Sequence, residues 1–153
     1  MPNWAEDIFE QTEQIDYDRY KNLIPSGFTV MFAGNMGEAQ DLENVLNAIE
    51  CTGDEINWVF LGNGRKFDWF SSQIKKKRLS SRVKILGAYP LKEMPHFFCH
   101  ADLMLVSLKD DYIFTLTMPG KIQSYMSFGK PIVAMLSGEG NTIIKNANCG
   151  YRA

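Results

Sequence analysis

Lys121 is the side chain best placed to do chemistry. It lies in Thr115–Val133, TLTMPGKIQSYMSFGKPIV, which reads as loop, helix, turn and strand. Pro119 suits a first helical turn, where its missing N–H costs nothing. Ile122, Tyr125 and Met126 then fall at helical spacing on one face. Gly129 is placed to end the helix, and Pro131 cannot continue it. The helix start therefore presents free backbone N–H groups, a positive dipole end and the Lys121 ammonium, a combination that suits a phosphate. The local alternative is an ordinary helix with a lysine in its first turn. Two glycine loops, Gly34-Asn35-Met36-Gly37 and Gly62-Asn63-Gly64, could serve the same ligand. Neither is G-x-G-x-x-G, and no acidic residue follows the second strand where an NAD ribose would need one. Each alone reads as a plain turn. Other chemistry finds little support. Ser107 and Ser124 lack a G-x-S-x-G elbow, and no G-x-x-x-x-G-K-[ST] occurs. His96 and His100, four residues apart, could share a helix face, but two ligands do not make a metal site.

Alternating strands and helices must position these residues. Phe28–Ala33 (FTVMFA) is a continuous apolar run, as expected of a strand buried on both faces. A helix from about Ala39 to Cys51 follows, with Leu42, Val45, Leu46 and Ile49 on one stripe. Asn57–Leu61 is a second strand, and a second helix runs from about Lys66 to Leu79. The cations Lys75 to Arg78 suit the solvated C-terminal end of that helix. Val83–Leu86 is a third strand, Pro95–His100 a short helix, Leu103–Leu108 a fourth strand and Lys109–Met118 a loop. Ile132–Leu136 is a fifth strand and Gly138–Ala147 a last short helix. This order predicts a Rossmann-like three-layer α/β/α fold with a mostly parallel sheet of five or six strands. Ligands of such sheets bind beyond the carboxyl ends of the strands. The glycine loops and the Lys121 helix start should share one crevice there.

With 153 residues the chain is long enough for one domain with a proper core. Its net charge of -2 gives no reason to propose nucleic acid as a partner. No apolar run reaches the length needed to span a bilayer, and no signal peptide is visible. Cys51, Cys99 and Cys149 are scattered, which reads as reduced cytosolic thiols packed in the core. Residues 1–27 mix acidic and aromatic side chains without a period and close on Pro25, Ser26 and Gly27. They read as an arm or linker whose rings, Trp4, Phe9, Tyr17 and Tyr20, dock on a neighbouring surface.

Taken together, FAGNMG, VFLGNG, VKILGAY, ADLMLVSL and MPGKIQSYMSFGKPIVA resemble the C-terminal domain of family 4 glycosyltransferases, retaining enzymes of two-domain B-type architecture. The last motif is the most specific. It matches P-x-K-x-x-E-Y-M-A-x-G-x-P-V at Pro119, Lys121, Tyr125, Met126, Gly129, Pro131 and Val133. The resemblance runs from about Phe28 to Arg152 and makes residues 1–27 an inter-domain linker. It implies that residues 28–153 are a donor domain truncated at its C-terminal end, without the N-terminal acceptor domain of the same chain.

The resemblance also implies a site. The donor would be a nucleoside-diphosphate sugar, often a UDP-sugar, with no cofactor or metal. Its base would meet the backbone at Ala88 and Tyr89. Its diphosphate would meet Gly34, Asn35, Met36 and Gly37 and the helix start at Thr117, Met118, Pro119, Gly120 and Lys121. Lys121 would stabilise the departing diphosphate. Ser124 stands where the family has a glutamate that holds the ribose hydroxyls. Asn35 and Gln40 stand where it often has an arginine and a lysine, which throws more of the charge onto Lys121 and onto Arg65 or Lys66. The acidic position usual before the helix falls near Leu116. The full-length enzyme would act in the cytoplasm, at the inner face of the membrane, in bacterial surface-polysaccharide synthesis. Two rival readings are a sugar-nucleotide epimerase half and a non-catalytic nucleotide-sensing or interaction domain. The epimerase needs acid/base groups that this half does not display. The stand-alone domain predicts a clean, stable monomer, where the glycosyltransferase reading predicts an exposed apolar docking patch.

Overall fold

The computed structural model describes Phe9, residues 15–115 and residues 119–153. Six parallel strands form one sheet: β1 (Phe28–Ala33), β2 (Ile56–Leu61), β3 (Val83–Gly87), β4 (Leu103–Ser107), β5 (Ile132–Met135) and β6 (Gly150–Arg152). Their order is β3-β2-β1-β4-β5-β6, so the chain winds outward from β1 on one side and then returns to wind outward on the other. Six α-helices connect them among the described residues: α1 (Leu42–Cys51), α2 (Phe67–Lys76), α3 (Met94–Phe98), α4 (Tyr112–Thr115), α5 (Gly120–Ser127) and α6 (Glu139–Asn146).

The apolar runs explain the layers. Successive strand residues point to opposite faces, so a run without polar interruptions feeds two cores. Val30, Phe32, Trp58, Phe60 and Leu105 meet the buried stripes of α1 and α2. Met31, Ala33, Val59, Leu61, Met104 and Val106 meet Phe97, Phe98, Ile122, Tyr125 and Ile144 on the other face. Arg82 is buried because it closes α1. Its guanidinium donates to the carbonyls of Ile49 (2.7 Å) and Gly53 (3.2 Å) and to Thr52 Oγ1 (3.0 Å).

The structure departs from the sequence reading at four places. Helix α4 lies inside the stretch expected to be loop, and β6 forms where no strand was expected. Cys51 is exposed and Cys99 and Cys149 only partly covered, because Cys51 closes α1 away from its apolar stripe. Tyr17 is exposed rather than docked.

Other rings of the N-terminal segment do pack. Phe9 stacks on Phe98 with 5.5 Å between centroids, and Tyr20 stacks on Phe97 at 4.1 Å. Tyr20 also meets Tyr89 edge-on at 5.3 Å. A polar clasp holds the segment there. Arg19 pairs with the buried Glu93 at 2.8 Å, and the Tyr20 hydroxyl donates to the same carboxylate at 2.9 Å. The two histidines serve the clasp as well. His96 Nδ1 accepts from the Asp16 N–H at 3.0 Å, and His100 Nε2 lies 3.3 Å from the Arg19 carbonyl. Trp4 lies outside the described residues.

Candidate functional site

The strand order reverses between β1 and β4, which is where an open parallel sheet leaves a crevice. The two strands are in register only at Val30–Leu103 and Met31–Met104, and then part. A cavity of about 340 Å³ opens above the carboxyl ends. Its floor is Ala33, Gly34, Leu61 and Gly62, and its walls are Ala88, Tyr89, Leu91, Met94, Phe98 and Phe9. Lys121, Ser124 and Tyr125 enter it from α5.

The floor is set by glycines that continue the sheet beyond its strands. The Gly34 N–H donates to the Leu61 carbonyl at 2.9 Å, and the Gly62 N–H to the Gly87 carbonyl at 2.7 Å. The loops lock further on, where the Met36 N–H donates to the Asn63 carbonyl at 2.7 Å and the Lys66 N–H to the Met36 carbonyl at 2.9 Å. A Cβ at Gly62 would overlap the Gly34 carbonyl. Gly34 has φ 138°, a backbone conformation that side chains disfavour, and a Cβ there would lie 3.3 Å from Lys121 Nζ.

Helix α5 brings the charge. Pro119 precedes it, and the Ile122 N–H closes on the Pro119 carbonyl at 3.0 Å. The amides of Gly120 and Lys121 thus stand ahead of the first bond in the helix. Gly140 of α6 lets the two helices approach closely. A Cβ at Gly140 would touch Ile122 Cδ1 and Leu136 Cδ1 at 3.0 Å. Lys121 Nζ is buried and has no hydrogen-bond partner among the described residues. It sits 4.0 Å from the centroid of the Phe32 ring, and burial pushes its pKa down from 10.5 to about 8. Ser107 Oγ and Gln123 Oε1 are likewise buried without a partner, but Lys121 alone among these three carries charge and lines the cavity. A buried ammonium facing a cavity without a counter-charge is a site for an anion.

Of the residues expected from sequence, Gly34, Ala88, Tyr89, Lys121 and Ser124 line the cavity, and Pro119 and Gly120 frame the helix start beside it. Thr117 and Met118 lie outside the described residues, as does Leu116. Asn35 is exposed on the rim, with its carboxamide turned back against Gly37 and Gly64. Met36 is fully buried in the core beneath α1 and α2, and its amide is taken by Asn63. The Gly37 amide is taken by Gln40 Oε1 at 2.9 Å. Arg65 is exposed and does not line the cavity. Lys66 is turned away from it as well, pairing with Glu43 at 2.9 Å and Glu38 at 3.4 Å and lying over the Trp69 ring. The hydrogen bond from Lys66 holds the Glu43 carboxyl below its usual range. Sequence reasoning missed the apolar wall of Phe9, Leu91, Met94 and Phe98. It also missed the Tyr125 hydroxyl, which accepts from the Ala33 N–H and donates to the Ala33 carbonyl, each at 3.0 Å.

Comparison with known proteins gives a consistent picture. Residues 27–153 match the family described as glycosyl transferases group 1. The probable glycosyltransferase WbjE of Pseudomonas aeruginosa is 32% identical over 126 residues, covering 78% of this chain and 30% of WbjE. Among solved structures, WaaG, a glycosyltransferase involved in lipopolysaccharide biosynthesis, superposes with a TM-score of 0.79 at 14% identity. That match covers 99% of this chain and 41% of WaaG. Anabaena HepE, solved with UDP and glucose, gives a TM-score of 0.75 at 19% identity over 97% of this chain and 41% of HepE. The C-terminal domain of LpcC from Francisella tularensis, a group 1 family protein, gives 0.59 at 13% identity and is covered to 83%. The chain thus spans less than half the length of WbjE, WaaG and HepE.

Proposed function

The chain belongs to the glycosyl transferases of group 1, and from that premise we propose that it is the donor-binding part of a retaining enzyme that transfers a sugar from a UDP-sugar to an acceptor in surface-polysaccharide synthesis. The observation that carries this reading is the buried Lys121 ammonium at the start of α5, without a hydrogen-bond partner among the described residues and facing the cavity at the reversal of strand order. The relatives' names point the same way. WaaG is described as acting in lipopolysaccharide biosynthesis, and HepE has been solved with UDP.

In this reading the diphosphate lies between Gly34 and the start of α5. The amides of Gly120 and Lys121 and the helix dipole face its oxygens. Lys121 gives it a charge-assisted contact and gains a counter-charge that none of the described residues supplies. The base lies against Ala88 and Tyr89, beyond the end of the edge strand β3, and Ser124 faces the ribose. Transfer with retention needs a stabilised leaving group on the face the acceptor approaches. A fixed cation and fixed amides supply that without reorganising at the moment of bond cleavage. Residues 1–27 serve as the linker from an acceptor-binding domain, which the donor part needs for turnover.

The test is a calorimetric titration of the chain with UDP, GDP, ADP and NAD, repeated with Lys121→Ala. Saturable binding of UDP that weakens at least tenfold in the variant is expected. Equal UDP binding by both proteins, or a preference for NAD, would refute the proposal.

A further inference from the structure

Resting on the reading of the cavity as a nucleoside-diphosphate site, we infer that Tyr125 is a positioning residue for that ligand: its hydroxyl pins α5, and with it the Lys121 ammonium, to the last residue of β1. Where β1 and β4 part, the N–H and C=O of Ala33 point into the gap with no neighbouring strand to pair them. The Tyr125 hydroxyl takes the place of that strand. It accepts from the Ala33 N–H at 3.0 Å and donates to the Ala33 carbonyl at 3.0 Å. These two bonds join α5 directly to the floor of the cavity, one residue before Gly34.

The reach of this anchor follows from helical geometry. Tyr125 and Lys121 are four residues apart, so they lie one above the other on the same face of α5. Among the described residues the Lys121 ammonium has no hydrogen bond that could fix it, and it rests over the Phe32 ring beside the Gly34 backbone. Its position is therefore inherited from the helix that carries it. The tyrosine ring is locked in turn, 1% exposed and edge-on to Phe98 at 5.4 Å. Burial also pushes the hydroxyl pKa far above its usual value, so the proton donated to Ala33 stays in place at any working pH. A purely structural hydroxyl would satisfy the backbone equally well. It would, however, leave nucleotide affinity independent of the bond, and that difference is measurable.

The experiment is a double-mutant cycle with Tyr125→Phe and Lys121→Met, read as UDP affinity by calorimetry, with folding checked by denaturation. Tyr125→Phe is expected to weaken UDP binding about tenfold. The double variant should bind no more weakly than Lys121→Met alone, because the tyrosine acts through the lysine. Unchanged UDP affinity in a folded Tyr125→Phe chain, or additive losses, would overturn the proposal. UDP affinity untouched by Lys121→Met would instead overturn the nucleotide reading itself. A second measurement needs no variant. If the Tyr125–Ala33 bonds support UDP binding, bound UDP must support the bonds by the same factor. Saturating UDP should then slow hydrogen exchange at the Ala33 amide about tenfold beyond its effect on amides of β2. Equal slowing at both would refute the coupling.

Discussion

Replacing Lys121 by methionine should make the folded chain more stable while removing its affinity for UDP. The ammonium is buried without a hydrogen-bond partner among the described residues, and its pKa falls from 10.5 to about 8. A depression of that size corresponds to roughly 3 kcal/mol of lost stability at neutral pH. The contact with the Phe32 ring returns about 1 kcal/mol. Methionine has a similar length and no charge to desolvate, so the net gain should be roughly 2 kcal/mol. For a domain of this size that is a rise in Tm of roughly 4–8 °C. The pH dependence gives a sharper check. Below pH 8 the lysine is protonated in both folded and unfolded chains, and the cost is fully present. Between about 8 and 10.5 the folded chain sheds the proton that the unfolded chain keeps, so the parent protein gains stability as pH rises. Above 10.5 both states are neutral and the desolvation cost is gone. Urea denaturation of both proteins at pH 7, 9 and 10.5 should therefore show the gap narrowing steadily. A variant less stable than the parent at pH 7, or a gap independent of pH, would show that Lys121 has a counter-charge, and the case for an anion site would fall with it.

Three further outcomes follow from the same geometry. UDP affinity should be flat from about pH 7, where the terminal phosphate is already ionised, to pH 8 and then fall up to tenfold per pH unit, because binding must restore the proton to Lys121; calorimetry in buffers of different ionisation enthalpy will register the uptake. Gly34→Ala should cost about 1–2 kcal/mol of stability through its positive φ, and should weaken UDP binding by crowding Lys121 Nζ; denaturation and titration together report both effects. Arg82→Met should cost roughly 2–3 kcal/mol, since three acceptors at the end of α1 lose their donor, yet leave UDP affinity unchanged in the folded protein.

Much of the fold was legible because a parallel sheet buries both faces of its strands. Each of the first five strands shows in the sequence as an apolar run, and the structure starts or ends them within a residue of the runs. β6 escaped because it is three residues long, with Tyr151 and Arg152 exposed, and it exists by pairing with β5 rather than by its own composition. α4 escaped because a single turn after two aspartates carries no period to read. Within the site, Lys121 was legible from its own neighbourhood, where a proline and a helical stripe fix a helix start. The fate of Lys66 was not, because the glutamates that hold it lie 23 and 28 residues away in sequence. Met36 shows the same limit. GNMG reads as a loop open to a ligand, while the core beneath α1 and α2 claims the methionine side chain and Asn63 claims its amide.

The clasp that fastens residues 16–20 to α3 has a practical bearing on chimaeras. Pro25-Ser26-Gly27 is the inviting place to exchange this domain between relatives, because the turn there looks like a boundary. A junction at that turn would strip Arg19 and Tyr20 from the buried Glu93 and take away the ring that braces Tyr89 at the cavity wall. Chimaeras joined upstream of Phe9 would carry these partners with them, and with Phe9 the ring that covers Phe98. Recombination libraries built on this scaffold should therefore treat the segment before β1 and the α3 face as one heritable block.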